Sequence, residues 1–161
     1  MDFPHIRLIA IDTDGLHRVS DYTQVAFWLK KMLHDAGDKF TIVMMHHPIY
    51  STAKGRSNPF MWLAFQSAMR EADVVFSGHD HNYARRTKQY KARFWKKEEP
   101  TIFIGTNASR KKYEVKDNVN YDCSFSGRPV YEYLQVTPDT LYISTYSLDD
   151  MNLIDEFFIS R

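Results

Sequence analysis

The chain has 161 residues, 43% of them hydrophobic and 25% charged, and its formal net charge at pH 7 is +1. This composition is typical of a soluble globular protein and predicts a single domain, residues 1–161. The one cysteine, Cys123, excludes an internal disulfide and a cysteine-rich zinc module. No apolar run approaches the roughly 18 residues of a membrane span, and the first residues lack a signal-peptide pattern, so we expect neither in this chain.

The first half of the chain alternates between strand and helix patterns. β-Branched runs predict buried strands, and apolar residues at helical spacing predict two amphipathic helices. A capping pattern at Asp21 and Gln24 opens the first helix, and Gly37 suits its end. Asn58 followed by Pro59 opens the second helix. The predicted order is a strand at residues 6–11, a helix at 21–37, a strand at 40–45, a helix from residue 58 and a strand at 73–77.

This βαβαβ order predicts a parallel sheet in which the carboxyl ends of the strands meet at one edge. The second strand ends in His46, His47 and Pro48, and the third leads into His79 and His81. If extended geometry continues past the third strand, residues two apart point the same way and both imidazoles face one site. Neutral imidazole is the commonest metal ligand in proteins, so this edge is a candidate metal site. The alternative, histidines that are merely exposed, does not predict three of them at one edge.

The second half begins with a basic stretch, residues 85–97, in which cations are interleaved with aromatic rings. Such a pattern suits single-stranded nucleic acid, but the near-neutral whole chain favours a solvated hairpin and no nucleic-acid partner. A short buried strand is predicted at residues 101–105, followed by a polar loop at 107–127. Period-two patterns predict an antiparallel meander with strands at residues 130–136, 141–146 and 154–159.

Two motifs give the chain a family resemblance. Residues 43–46 have the form V-x-x-H, and residues 78–85 have the form G-H-x-H-x-Y-x-R. In this order they resemble motifs of the calcineurin-like metallophosphoesterases, above all the purple acid phosphatase-like branch. The helix around residues 24–29 and the closing strands are similar to elements of the same family. The resemblance implies a mixed α/β fold, the C-terminal half of an αββα sandwich, with this chain supplying one sheet and its helices.

The same resemblance implies a centre with two metal ions, drawn from iron, zinc, manganese or magnesium. In the family pattern, His46 and His79 would bind one ion and His81 the other. Three earlier ligand motifs of the family, D-x-G, G-D-x-x-Y and G-N-H-[DE], have no counterpart here, since the one D-x-G string, at residues 35–37, lies at the end of the first predicted helix and follows no strand. The bridging aspartate, the asparagine and the general-acid histidine that they carry are therefore missing. We expect one metal ion, or none, in this chain alone.

Several other residues near the predicted edge have two interpretations. Asp12 and Asp14 follow the first strand and are alternative carboxylate ligands, although aspartate is also common in turns. His47 either supports a ligand or is only its neighbour. Lys54 and Arg56 are candidate phosphate-binding residues, because the family often places histidines near the substrate in that loop; a solvated loop is the other interpretation. The remaining histidines without a partner pattern, expected at the surface, are His5, His17 and His34.

The resemblance leads to a functional expectation with two rivals. We expect the parent protein to hydrolyse phosphate esters, and the isolated chain to have little or no activity. The rivals are a non-catalytic fragment or degenerate homologue acting as a binding or assembly module, and a structural site for a single metal ion. The expected partners are a phosphate ester and the missing N-terminal half of the domain. Because the absence of that half would leave apolar surface uncovered, self-association is also expected. Export of the parent protein is compatible with the sequence.

Overall fold

The computed structural model describes residues 1–90 and 100–161, which form two helices and nine strands. No helix in these two ranges is both long and apolar enough to cross a membrane. The elements in chain order are β1 (Ile6–Ile11), α1 (Val19–His34), β2 (Phe40–Met45), α2 (Pro59–Met69), β3 (Val74–Ser77), β4 (Tyr83–Lys88), β5 (Thr101–Gly105), β6 (Cys123–Phe125), β7 (Val130–Val136), β8 (Thr140–Ser147) and β9 (Leu153–Ser160).

Six of the strands form one mixed sheet in the order β1-β2-β3-β5-β4-β6. The neighbours β1, β2, β3 and β5 are parallel, whereas β4 runs antiparallel to both β5 and β6. The helices α1 and α2 provide the crossovers that parallel neighbours require. The predicted βαβαβ unit is therefore confirmed, and the loops that follow β1, β2 and β3 leave the sheet at the same edge.

The last three strands form a second, antiparallel sheet in the order β7-β8-β9. The predicted meander is confirmed, although β8 and β9 each extend one residue further at both ends than the pattern indicated. The chain thus contributes two sheets instead of the single sheet expected. The reason is that the inward side chains of the meander are apolar and pack against one face of the larger sheet, of which they leave a part open.

Two hydrophobic cores lie on the two faces of the six-stranded sheet. On one face, Leu29 of α1 and Phe65 of α2 are fully buried against the sheet. On the other face, Leu141 and Ile143 of β8 pack with Ile42 of β2. The result is three layers, helices on sheet on sheet, and a mixed α/β fold as predicted.

The start of α1 differs from the prediction in its capping geometry. Arg18 occupies the N-cap position, and Asp21 is the third helical residue. The Asp21 carboxylate accepts hydrogen bonds from the backbone N–H of Arg18 at 2.9 Å and of His17 at 3.2 Å. Both hydrogen bonds lower the pKa of Asp21, and the bond from Arg18 has the larger effect. At the far end Gly37 has a φ of 61°, the left-handed conformation predicted for it after the helix.

Two predictions for the second half need correction or restriction. The predicted loop at residues 107–127 contains the short strand β6, which pairs with the outer edge of β4. This strand has three residues, too few for a period-two pattern to stand out in a polar segment. Residues 91–97 of the basic stretch lie outside the described residues. Of the described cations in that stretch, Arg86 and Lys88 lie over the ring of Tyr50, at 5.8 and 4.4 Å from its centroid.

A buried polar cluster joins the two sheets through β4 and β9. The Tyr83 hydroxyl donates to Asp155 Oδ2 at 2.8 Å and accepts from the Thr145 hydroxyl at 3.1 Å. Arg85 donates two hydrogen bonds to the same carboxylate, at 2.6 and 3.1 Å. The Asp155 side chain is only 8% exposed, so these charge-assisted bonds are poorly screened by water. Burial raises the pKa of Tyr83, which stays a neutral donor.

Asp155→Asn should destabilise the fold. The substitution replaces the buried carboxylate of Arg85 by a neutral amide and leaves the half-exposed Asp122, at 3.2 Å, as its charged partner. We expect the free energy of unfolding to fall by about 2–4 kcal/mol in urea denaturation. Asp150→Asn is the matched control, because Asp150 pairs with Arg128 at the exposed surface and should cost less than about 1 kcal/mol. Equal effects of the two substitutions would contradict a joining role for Asp155.

Candidate metal centre

Three imidazoles converge at the carboxyl edge of the six-stranded sheet. His46 and His47 follow β2 directly, and His79 lies two residues beyond β3. One ring nitrogen of each lies within 4.8 Å of the others, and His79 Nδ1 is 3.2 Å from His46 Nε2. Within residues 1–90 and 100–161, no other group of three or more histidine, cysteine, aspartate or glutamate side chains is this close. We call His46, His47 and His79 the histidine group.

The backbone after β3 departs from the extended geometry expected from the sequence. His79 has a φ of 68° and His81 a φ of 48°, both in the left-handed region that residues other than glycine rarely adopt. A 2.8 Å hydrogen bond from the Asp80 N–H to the Gly78 carbonyl closes a γ-turn at His79. The expectation that strand alternation aims both imidazoles the same way was therefore wrong, because the chain turns at residues 78–80.

His81 faces the loop that follows β5 and does not belong to the histidine group. Its Nδ1 lies 2.8 Å from the Ser109 hydroxyl and 3.3 Å from the Asn107 side-chain oxygen. Its ring meets Tyr113 edge-on, with centroids 5.4 Å apart. Of the three predicted ligands, the structure brings His46 and His79 together, adds His47, and sets His81 among polar neighbours of its own.

Asp80 holds the loop after β2 against the loop after β3. Its side chain is buried, with 1% of the residue exposed, and Oδ2 accepts hydrogen bonds from Ser51 Oγ at 2.7 Å and the Thr52 N–H at 2.6 Å. A third, longer bond comes from the Ala53 N–H at 3.3 Å. Its other oxygen has no hydrogen-bond partner among the described residues and lies 3.8 Å from Arg56 Nη1. We call these contacts the Asp80 clamp; they fix the chain on both sides of the histidine group.

The loop after β1 supplies the neighbours of His47. The Thr13 hydroxyl accepts a hydrogen bond from the His47 N–H at 3.0 Å and lies 3.1 Å from its Nδ1. Asp14 Oδ1 is 3.8 Å from the same ring nitrogen. Asp12 instead accepts hydrogen bonds from the backbone N–H groups of Asp14 and Gly15, the ordinary role of aspartate in a turn. Of the two aspartates considered as ligands, only Asp14 lies beside the histidine group.

A cavity of about 320 Å³ opens beside His79, and Arg56 is the cation in its wall. The Arg56 guanidinium lies over the Tyr113 ring, 4.5 Å from its centroid, and donates a long hydrogen bond of 3.4 Å to the His79 carbonyl. Lys54 points elsewhere: its ammonium pairs with Asp117 at 2.9 Å, and this hydrogen bond raises the pKa of Lys54. Of the two candidate phosphate-binding residues, Arg56 is the one at the cavity.

The surroundings of His79 favour its neutral form. Burial lowers the pKa of His79 from its usual value of 6.5, and the neighbouring His47 and Arg56 lower it further by charge repulsion. The imidazole is therefore neutral at pH 7. A neutral ring keeps a nitrogen lone pair available to a metal ion.

The donor set of the histidine group fits one metal ion and does not fit a bridged pair. Three imidazole nitrogens are typical ligands of zinc and similar ions. A pair of ions needs an oxygen bridge, and the histidine group contains no carboxylate in the described residues. Asp14 is close to His47 but does not lie between two sets of ligands. Of the histidine group, His79 lines the cavity that also contains Arg56.

Sequence reasoning missed the residues that hold the site together. Asp80 stood only as the spacer of an H-x-H pattern, and its partners lie 27 to 29 residues earlier in the chain. Asn107 and Ser109 carried no signal at all within a polar segment. The one available hint was that an acidic residue directly after a buried strand needs hydrogen-bond donors close by.

Comparison with known proteins gives the chain a family context. The family model described as calcineurin-like phosphoesterase matches residues 4–83, about half of the chain. Among solved structures, purple acid phosphatase PPD1 from yellow lupin (Lupinus luteus) seeds has a TM-score of 0.75 at 20% identity. GAP50, described as the anchor in the inner membrane complex of Plasmodium, has a TM-score of 0.71 at 18% identity. The comparison with curated proteins gives no match.

These structural likenesses establish a shared fold over nearly the whole chain. The alignment with the lupin phosphatase covers 100% of this chain and 32% of that chain, and the alignment with GAP50 covers 96% and 49%. The chain therefore spans between a third and a half of the proteins that it matches.

The lowered pKa of His79 predicts how stability depends on pH in metal-free buffer. Below about pH 6.5 the unfolded chain takes up the proton on this residue before the folded chain does, so stability falls as pH decreases. Above pH 6.5 this contribution is constant. Urea denaturation between pH 5 and 7.5 should show a shallower pH dependence for His79→Gln than for the unaltered chain. Parallel curves for the two proteins would contradict the prediction.

Proposed function

We propose that this chain, which belongs to the calcineurin-like phosphoesterase family, is the histidine-bearing part of a metal-dependent phosphate ester hydrolase. The observation that carries the proposal is the convergence of His46, His47 and His79 at the carboxyl edge of a parallel sheet. Ligands of open α/β sheets gather at that edge. The family generally binds two metal ions, and the branch resemblance assigns His46 and His79 to one of them and His81 to the other.

The residues of this chain have separate roles in the proposed site. His46 and His79 would hold an ion, and a bound cation supplies Lewis-acid chemistry toward a phosphoryl oxygen. His47, which lies between Thr13 and His79, would be a further ligand or would orient the other two rings. Arg56 lines the adjoining cavity and offers its guanidinium to the negative charge of a phosphate ester. Its position over Tyr113 keeps it beside His79.

We further propose that the chain by itself has little or no hydrolytic activity. Two-ion catalysis needs a carboxylate bridge, which the family's first three motifs supply and this sequence lacks. The histidine group supplies no negative charge to offset a second cation. His81, held by Asn107 and Ser109, has no partner ligands among the described residues for an ion of its own.

The natural partner in this proposal is the remainder of the domain, upstream in the family pattern. An open cavity of about 540 Å³ lies between the two sheets, with Leu8, Met44 and Leu134 in its apolar wall. Glu132 lines the same cavity, and burial raises the pKa of its carboxyl. Further strands packed here would cover the apolar wall. Without them, self-association of the chain through the same surface is expected.

A second candidate function is a non-catalytic role in binding or assembly. Two observations favour it: the absent carboxylate motifs, and the shared fold of GAP50, which is described as an anchor. In this case the histidine group would be structural or vestigial. The first of the following experiments separates this candidate from a chain that is active on its own.

The purified chain should not hydrolyse 4-nitrophenyl phosphate in a steady-state assay with added Mn²⁺, Zn²⁺ or iron. The physical reason is the missing bridge, which leaves a second ion without ligands. Metal-dependent turnover that disappears in His46→Ala would refute the proposed inactivity. The same turnover would also exclude the assembly role as the only function.

Metal binding itself should be measurable in the inactive chain. We expect one equivalent of Zn²⁺ by isothermal titration calorimetry, and an affinity lowered at least about 100-fold in His46→Ala or His79→Ala. His17→Ala is the control, since His17 is exposed in the loop before α1. His81→Ala should leave this first equivalent unchanged. If His46→Ala binds Zn²⁺ as tightly as the unaltered chain, the histidine group is not the metal site.

A further inference from the structure

A second cavity lies on the helix side of the six-stranded sheet, and nothing in the proposed catalytic site uses it. Its volume is about 310 Å³, at the lower end of the range for small-molecule sites. Its walls come from the loop after β2, the start of α2, the strands β3, β4 and β5, and the loop before β6. The side chains that decide its chemistry are Tyr50, Trp62, Phe103, Tyr121, Arg86 and Lys116. We call it the aromatic cavity.

The aromatic walls of this cavity form a preorganised surface for a flat ring. Tyr50 and Phe103 meet edge-on with centroids 4.9 Å apart, so the two rings brace each other. Lys88 and Arg86 lie over the Tyr50 ring and restrict it further. Trp62 completes the wall from the first turn of α2, where it is 42% exposed and therefore available to a ligand. Aromatic pairs of this kind favour a stacked or edge-on third ring.

The two cations of the cavity pair with no carboxylate among residues 1–90 and 100–161. Neither Arg86 nor Lys116 forms a salt bridge with a carboxylate in the part of the chain that the structure describes, whereas Arg7, Lys54, Arg85 and Arg128 all do. Lys116 is anchored through its backbone N–H, which donates to the Thr52 carbonyl at 2.8 Å. A half-buried cation beside apolar walls is stabilised by an anion, because it has lost part of its hydration.

We infer that the aromatic cavity binds a small planar aromatic anion, its ring held by Tyr50, Trp62 and Tyr121 and its charge by Arg86 and Lys116. The size of the cavity suits one ring or two fused rings. Ser51, Ser57 and Asn58 line both this cavity and the one beside His79, so the ligand would sit next to the histidine group. Binding here does not depend on the proposed hydrolysis, because none of the histidines lines the aromatic cavity.

Isothermal titration calorimetry of the whole chain with four probes tests this inference. The probes are 2-naphthoate, 1-naphthyl phosphate, 2-naphthol and inorganic phosphate. We expect both aromatic anions to bind, 2-naphthol to bind at least about tenfold more weakly, and inorganic phosphate not to bind here. The ratio of the two anions distinguishes a carboxylate ligand from a phosphate ligand. A metal-free buffer with a chelator keeps the result separate from any failure of the proposed metal function.

Variants place the binding in this cavity. Arg86→Gln should weaken 2-naphthoate about tenfold or more, and Ala84→Leu, which fills the floor of the cavity, should abolish binding. Lys112→Gln and Phe60→Ala are matched controls, since Lys112 is exposed in the same loop as Lys116 and Phe60 is 73% exposed on the same helix as Trp62. If Ala84→Leu does not fold, as judged by circular dichroism, Arg86→Gln alone decides. No binding of either anion, equal binding of 2-naphthol, or unchanged binding in Arg86→Gln would overturn the inference.

Discussion

The arrangement of the site depends on the buried carboxylate of Asp80. It accepts the Ser51 hydroxyl and the Thr52 N–H through one oxygen, and so ties the loop after β2 to the turn after β3. Without that acceptor two buried donors would lack a partner, at about 1–3 kcal/mol each. The clamp also helps to offset the left-handed conformation of His79, which costs about 1–3 kcal/mol and which local sequence does not favour. A strained backbone beside a group of imidazoles, stabilised by a buried carboxylate, is typical of a functional site and not of an ordinary loop.

The motif at residues 78–85 has two parts with different structural roles. Up to His81 it is turn, and its side chains serve the candidate metal centre. From Tyr83 it is the strand β4, and alternation takes over: Tyr83 and Arg85 face the smaller sheet, while Ala84 and Arg86 face the helices. The tyrosine and arginine that make the motif recognisable are therefore structural residues here. They bind Asp155 between the sheets and so connect β4 to β9.

The features that the sequence predicted depend on residues close together in the chain, and those that it missed depend on residues far apart. Periodicity is local, so the helices, the βαβαβ order and the strands other than β4 and β6 followed from it, and Asn58 and Gly37 were placed correctly. For the site, the sequence predicted only that the histidines lie at the same edge of the sheet. Its geometry rests on pairs far apart in the chain, such as Thr13 with His47 and Tyr83 with Asp155, and no single-sequence pattern couples such positions. The φ of His79 was unpredictable for the same reason, since tertiary contacts overrule its local preference for extended backbone.

The contacts that position the histidines lie within this chain, whereas the carboxylates of a two-ion site are missing from it. Each face of the larger sheet carries a hydrophobic core, although the face toward the smaller sheet stays partly open, and the Asp80 clamp and the Asp155 cluster use only residues of this chain. The positions of His46 and His79 therefore depend on contacts within this chain. The charge of a two-ion site is what this arrangement lacks, because the histidine group is made of imidazoles alone and includes no carboxylate within residues 1–90 and 100–161. An upstream segment that supplied carboxylates would meet ligands already in place, so its contribution to metal binding would be electrostatic more than organisational.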